Sequence, residues 1–384
     1  MIELRLPSFG ADMEDAVFVQ WSVQPGQTVR HGDIACVVET QKGAIDVEAW
    51  QGGTMAKLVA APGDRIPVGG LLALLADEGE DWQAVAKAMP HAPTPAPAAA
   101  IVGAGTAAAV PAAAEPPAGP ALRVSPAARK RAADLGIDLD ALARAKGGAP
   151  IALADVEQAA PRTPAAGMRA AIAAAMSRSK REIPHYYVGT EANVEPALRW
   201  LEAFNAQRPL PERVLLAALA LRAVALALKE APQLNGRFVD GRFEPATAVH
   251  LGVVTSLREG GLVVPVLHDV DRLPLPDLMT ALRDAVTRAR SGRLRSSDLA
   301  DATITVTNFG DLGADTVYGV IYPPQVALVG LGRVAPRPVV ADGAVVAART
   351  IRLTLAGDHR VSDGLAGARF LAALAQRLGH PETL

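Results

Sequence analysis

Residues 90–121 read PHAPTPAPAAAIVGAGTAAAVPAAAEPPAGPA, and this stretch limits the fold more than any other feature. A single charge, Glu115, interrupts a run of Ala, Pro and Gly with neither a helical nor a strand period. Such a segment buries too little apolar surface to offset its ordering entropy, and its prolines stiffen it into an extended tether. The chain therefore cannot be one globule. With 384 residues, at roughly 100–200 per domain, two or three folded pieces are expected. A shorter break at Pro161-Arg162-Thr163-Pro164-Ala165-Ala166-Gly167 supplies the second boundary. The expected organisation is 1–80, a linker over 81–122, 123–160, a linker over 161–167, and 168–384.

Composition removes several function classes. Basic and acidic residues number 38 and 40, a net charge of −2, which excludes a globally basic nucleic-acid binder. One cysteine, Cys36, excludes an intrachain disulfide framework and a multi-cysteine metal site. The Met1–Arg5 start is read as no signal peptide, and the apolar run Val214–Leu228, interrupted by Arg222, as a buried helix rather than a membrane span. A reducing, cytoplasmic setting is expected, with no nucleic-acid, membrane or metal partner.

The first piece reads as all-β. Val17–Val23 is rich in strand formers, and Pro-Gly and Gly-Gly turns recur. Pro25-Gly26 through Gly32 returns as Pro62-Gly63 through Gly69, with a β-branched residue at the same offset. Two similar halves predict two small sheets about a pseudo-two-fold axis. Midway lies Glu39-Thr40-Gln41-Lys42-Gly43-Ala44-Ile45-Asp46-Val47, which places Lys42 at a hairpin tip.

In the second piece Ser125 is a helix cap with Pro126 at the first helical position; Gly136 ends the helix, and another begins near Ala152 and carries Val156. The first helix bears Arg129 and Lys130. The third piece alternates helical stretches (168–181, 211–230, 275–291, 364–378) with strand-like runs (250–254, 262–267, 302–307, 326–331, 351–355), which predicts a mixed sheet covered by helices. Within it His359-Arg360-Val361-Ser362-Asp363-Gly364 is the one place where a histidine precedes Asp by four residues. Histidine's ordinary pKa near 6.5 suits it to take a proton from a thiol, and the spacing lets Asp363 fix the loop or orient a neighbouring arginine. Attack on a thioester needs a donor for the developing oxyanion, and Thr307, at the end of a strand before Gly310, is the candidate. His185 is assigned a structural role.

These motifs resemble the dihydrolipoamide acyltransferases of 2-oxo acid dehydrogenase complexes. Glu39-Thr40-x-Lys42 with both Pro-Gly turns is similar to a lipoyl domain, a flattened β-barrel; the methionines that flank the lysine of a biotin carrier are absent. Gln41 stands where that family usually has Asp. Residues 123–160 resemble the small helical peripheral-subunit-binding domain. The segments Ser179–Tyr187, Gly261–Val266, Thr307–Gly310, Pro323-Pro324-Gln325 and Asp358–Gly364 resemble the α/β, chloramphenicol-acetyltransferase-like catalytic domain. Tyr322 stands where many members have Asn, and is read as local packing.

The resemblance implies lipoate on Lys42, coenzyme A as substrate, His359 as base, Thr307 as oxyanion donor and Asp363 as a supporting residue. It implies that Arg129 and Lys130 grip the decarboxylase or dihydrolipoamide dehydrogenase. It further implies homotrimers, active sites shared between subunits, residues 168–181 as an arm toward a neighbour, and a core of roughly 24 chains in its cubic form. The expected reaction moves an acyl group, acetyl foremost, from the dihydrolipoyl arm to coenzyme A. Pyruvate, acetoin and branched-chain acids are all compatible sources. The alternatives are a non-catalytic lipoyl-bearing scaffold and a small-molecule acetyltransferase.

Overall fold

The computed structural model describes residues 1–9, 13, 15–40, 43–77, 79–87, 124–135, 137–146, 149–159, 164–257, 261–308, 313–341 and 343–384. Lys42, Gly136 and most of the expected first linker lie outside them. Two compact units form, one from Met1–Pro90 with Gly167–Leu384 and one from His91–Ala166.

The N-terminal domain contains β1 (Ile2–Arg5), β2 (Asp15–Trp21), β3 (Thr28–Val29), β4 (Ile34–Thr40), β5 (Gly43–Glu48), β6 (Gly53–Leu58), β7 (Arg65–Pro67), β8 (Leu71–Ala76) and α1 (Trp82–Lys87). One sheet runs β1-β8-β6-β3; β5-β4-β2-β7 are neighbours in the other. Between the sheets lie Phe9, Phe18, Val38, Ile45, Met55, Leu72 and Leu75, all at most 2% exposed. The two repeats adopt the same backbone. Gly26 and Gly63 take φ of +84° and +93°, and each donates its amide across the sandwich, to Met55 and to Phe18. The domain extends past its expected end at residue 80. Asp81 accepts from the Gln83 amide, and the Trp82 ring lies over Gly26, so α1 belongs to the sandwich rather than to a linker.

The second unit holds α2 (Pro126–Leu135), α3 (Leu139–Ala145) and α4 (Leu153–Ala159) around Ala128, Ala132, Ile151 and Val156. Ser125 accepts from the Ala128 amide as a cap should. The sequence predicts two helices here. The third, α3, is announced by Asp138, whose carboxylate accepts from the amides of Asp140 and Ala141.

The C-terminal domain begins with α5 (Pro164–Glu182), which starts inside the expected 161–167 linker because proline fits a helix's first turn. There follow β9 (His185–Asn193), α6 (Glu195–Asn205), α7 (Leu216–Leu228), β10 (Gly236–Val239), β11 (Arg242–Pro245), β12 (Leu251–Val253), β13 (Thr255–Ser256), β14 (Leu262–Val263), β15 (Val266–Leu267), α8 (Leu275–Ser291), β16 (Leu294–Arg295), β17 (Ile304–Asn308), β18 (Ala327–Leu331), β19 (Ala335–Ala341), β20 (Ala344–Asp358) and α9 (Gly364–Gly379).

The main sheet runs β15-β12-β17-β18-β20-β19, with β9 also on β20. Its β12, β17 and β18 are parallel and the rest antiparallel, the expected mixed sheet. Helix α7 is apolar all round and is buried with α9 on this sheet. Its one charge, Arg222, donates to the Val270 carbonyl. No helix among the described residues is long and apolar enough to cross a membrane.

Candidate active site

Strand β20 is fifteen residues long and ends at Asp358, where it is hydrogen-bonded to β9 opposite His185. Between it and α9 the chain makes a tight turn over residues 359–363. The amides of Val361 and Ser362 donate to the Asp358 carbonyl. The Asp358 carboxylate, fully buried, accepts from the Arg360 amide at 2.9 Å and from Nη2 of its guanidinium at 2.7 Å. That guanidinium lies 4.0 Å over the Phe238 ring, and the Phe238 amide donates to the Pro324 carbonyl. Gln325 in turn accepts from the Thr305 hydroxyl of β17 at 2.7 Å. The Pro-Pro-Gln segment thus ties the turn to the middle of the sheet.

His359 stands on this turn, exposed, with its amide donating to the Pro184 carbonyl at 2.9 Å. Its ring meets the Tyr186 ring edge-on, 5.4 Å between centroids. Tyr186 is held at both ends. Its hydroxyl shares a 2.9 Å hydrogen bond with Ser362, and its ring occupies a slot that a Cβ on Gly357 would enter to within 2.3 Å. Tyr186 and Ser362 were not singled out from sequence, because 176 residues separate them. The only signal was that both lie inside motifs already noted.

Asp363 caps α9, its carboxylate accepting from the Ala366 amide at 2.9 Å. The loop-fixing role expected of it is therefore present. Orienting an arginine falls instead to Asp358, two residues before Arg360 in the same motif.

His185 is structural as expected. Its Nδ1 lies 2.8 Å from the Ile183 carbonyl and its Nε2 accepts from the Ile321 amide at 3.1 Å, a pairing that requires the neutral ring. Burial pushes its pKa below the ordinary value. A depressed folded-state pKa contributes stability that is present above about pH 6.5 and is lost as pH falls through the folded value. The thermal unfolding midpoint is expected to drop between about pH 7 and about pH 5. A His185→Gln chain is expected to start lower and lose less over that range. Parallel pH curves for the two chains would contradict the assignment.

Thr307 lies in β17 opposite Gly330 of β18 and is 3% exposed. An open cleft of about 390 Å³ surrounds His359, lined also by Gln233, Arg360, Val361, Ser362, Asp363 and Ala366; Thr307 is not in its lining. Tyr322 packs against the small buried cluster of Ile183, Ile321, Leu328 and Ala356, the local packing expected.

Lys42 lies outside the described residues, but its setting is clear. Strands β4 and β5 pair up to Thr40 opposite Gly43, the Thr40 hydroxyl donates to the Gly43 carbonyl at 3.1 Å, and Gly43 takes φ +109°. Arg129 and Lys130 are exposed on α2. Among the described residues no cluster of His, Cys, Asp or Glu could hold a metal ion.

Comparison with known proteins places the chain in a family. Residues 157–384 match the family model of the 2-oxoacid dehydrogenases acyltransferase (catalytic domain), and residues 2–75 match the biotin-requiring enzyme model. A lipoamide acyltransferase component of the branched-chain alpha-keto acid dehydrogenase complex from Pseudomonas aeruginosa is 33% identical, over 99% of this chain and 98% of that one. A dihydrolipoyllysine-residue acetyltransferase component of the pyruvate dehydrogenase complex from Rhizobium meliloti is 30% identical over the same shares. Among solved structures, the Azotobacter vinelandii dihydrolipoamide acetyltransferase superposes with a TM-score of 0.55 at 26% identity, covering 58% of this chain and 93% of that one. A probable dihydrolipoamide acetyltransferase from Listeria monocytogenes gives 0.54 at 29%, covering 58% and 95%. With its catalytic domain, its carrier-type domain and full-length relatives in agreement, this chain belongs to the acyltransferase family of the 2-oxo acid dehydrogenase complexes.

Proposed function

We propose that the chain transfers an acyl group from a dihydrolipoyl arm on Lys42 to coenzyme A, with His359 as general base, Thr307 as oxyanion donor and Asp363 as the cap that fixes the catalytic turn. The observation that carries this reading is His359 itself, presented to a cleft on a turn whose backbone and flanking side chains are all anchored. The Azotobacter structure was studied for a serine, a histidine and an asparagine in its catalytic mechanism. The serine precedes that histidine by 52 positions and the asparagine follows it by four. In this chain Thr307 precedes His359 by 52 and Asp363 follows by four. A hydroxyl is kept at the first position, and Asp363 retains the ability to cap.

The lipoyl group supplies the acyl thioester and the reach to bring it. The imidazole of His359 takes the proton of the coenzyme A thiol as its sulfur attacks the thioester carbonyl. The Thr307 hydroxyl donates to the carbonyl oxygen as negative charge builds there. The C–S bond to the carrier breaks, and the imidazolium returns its proton to the departing sulfur. Because Thr307 is absent from the His359 cleft of its own chain, we infer that the two act together across a subunit boundary. An assembled core of the kind solved for the pyruvate dehydrogenase complex supports this reading. The three-helix unit, with Arg129 and Lys130 outward, is proposed to hold the decarboxylase or the dihydrolipoamide dehydrogenase.

Acyl transfer from acetyl-, isobutyryl- and succinyl-CoA to free dihydrolipoamide by the full chain tests the reading and identifies the acyl group. Transfer of none of them would favour a lipoyl-bearing scaffold. Thr307→Val, nearly isosteric but without a hydroxyl, is expected to lower kcat by about 10²–10³-fold with little change in KM. Thr307→Ser is expected to keep most of the rate. Equal rates for the two variants would remove Thr307 from the mechanism.

A further inference from the structure

Strand β5, which leads out of the lysine hairpin, is flanked on its second side by a strand from the catalytic domain. β16 lies parallel to it, with Leu294 opposite Ile45 and Arg295 opposite Asp46. The ladder continues where the Ser296 amide donates to the Asp46 carbonyl at 2.8 Å. Beyond it the two domains share a polar lock. The Ser296 hydroxyl accepts from the Glu48 amide at 3.1 Å and donates to the Glu48 carboxylate at 3.2 Å, and the Ser297 amide donates to the same carboxylate at 3.1 Å. Arg295 stands 3.9 Å from its other oxygen. Glu48 is 6% exposed and Ser296 fully buried, while Leu299 packs against the carrier-domain core.

A buried carboxylate is costly unless it is paired and hydrogen-bonded. Every side-chain partner of the Glu48 carboxylate named here comes from the catalytic domain. In a carrier domain standing alone β5 would be an unpaired sheet edge with Glu48 in water, so the sequence of β5 suits both states. The receiving segment is braced in advance. Asp298, 4% exposed, holds Arg288 through two hydrogen bonds of 2.8 and 2.6 Å and accepts from the Arg295 amide at 3.0 Å. The His268 ring bonds the Ser297 carbonyl at 2.9 Å.

We propose that residues 294–299 are a docking strand on which the chain's own carrier domain parks between transfers, by adding β5 as a strand and locking Glu48 into Ser296 and Ser297. The contact is small, a two-residue ladder and one carboxylate, and so can be released on each cycle. The tether makes it effective, because an attached domain is present at a high local concentration. While parked, β5 is closed to any other protein that would read the same edge. This inference rests on the first domain being the carrier, but not on lipoate being attached to Lys42.

The test uses the full chain with Asp46→Cys and Arg295→Cys, registered partners that a disulfide can span. Cys36, the native thiol, is fully buried and so shielded from the oxidant. Mild oxidation is expected to join the two cysteines within one chain, at the mobility of a single chain on a non-reducing gel. Adding Glu48→Arg is expected to cut the yield at least tenfold. In the otherwise native sequence, Glu48→Arg or Ser296→Ala is expected to speed hydrogen exchange at the 296–297 amides at least tenfold, while transfer to free dihydrolipoamide is unchanged. No disulfide, a disulfide only between chains, or exchange indifferent to both substitutions overturns the proposal. Any of these results leaves the acyl-transfer reading, tested at His359 and Lys42, standing.

Discussion

The His359→Ala chain is expected to transfer acyl groups between coenzyme A and free dihydrolipoamide about 10²- to 10⁴-fold more slowly than the native chain, the span general-base catalysis contributes. The loss should fall on kcat, because the imidazole acts on the proton in flight rather than on binding. The fold should survive. His359 is exposed, and the contact that fixes its place in the chain is made by its backbone amide to Pro184. A side-chain truncation there should change stability by no more than about 0.5 kcal/mol. The comparison that gives the experiment its meaning is Tyr186→Phe. It keeps the ring against the imidazole but drops the hydrogen bond to Ser362, and should cost far less. A His359→Ala chain that unfolds at the native temperature and retains its rate would remove the histidine from the reaction.

Lys42→Arg should have the opposite signature. Acyl-CoA formation from a 2-oxo acid in the assembled complex is expected to fall by at least about 10²-fold, since the tethered arm's high effective concentration is lost. Transfer to free dihydrolipoamide by the same chain should be unchanged, because a free acceptor reaches the site without the tethered arm. Arginine keeps the charge and the solubility of the hairpin but cannot form the amide that attaches lipoate. The intact protein mass, with and without lipoylation, reads the modification directly. Loss of both activities would point to misfolding, and loss of neither would return Lys42 to an ordinary surface lysine.

The two experiments divide the chain at the place its sequence divides it. Features that depend on a few neighbouring residues were legible there. The Ala/Pro run shows that it cannot collapse; Ser125-Pro126 caps a helix; the paired Pro-Gly turns impose the left-handed glycines that fold both halves alike. The histidine motif between a strand and a helix was legible for the same reason, since strand end, turn and capped helix are all written within ten residues. Local patterning missed the parts whose partners are far away. β9 escapes a local reading even though its burial alternates, because the strand it pairs with, β20, lies some 160 residues on. The 262–267 run, read as one strand, splits at Val264-Pro265 into β14 and β15, which pair in different sheets.

By itself, then, the sequence determined that a carrier-type domain comes first and an acyltransferase domain last, and it put forward the residues proposed to carry the chemistry. Each of these is set by backbone propensities and side-chain types over short spans. Only the tertiary structure decided that Asp358 rather than Asp363 holds Arg360, that Tyr186, seated against Gly357, packs on His359, and that Thr307 is absent from the lining of the His359 cleft. It alone showed that the edge of β5 is closed by β16 and Ser296. The long-range contacts among these join groups more than 100 residues apart, chosen by which groups must be satisfied when water is excluded, and no local pattern encodes that choice.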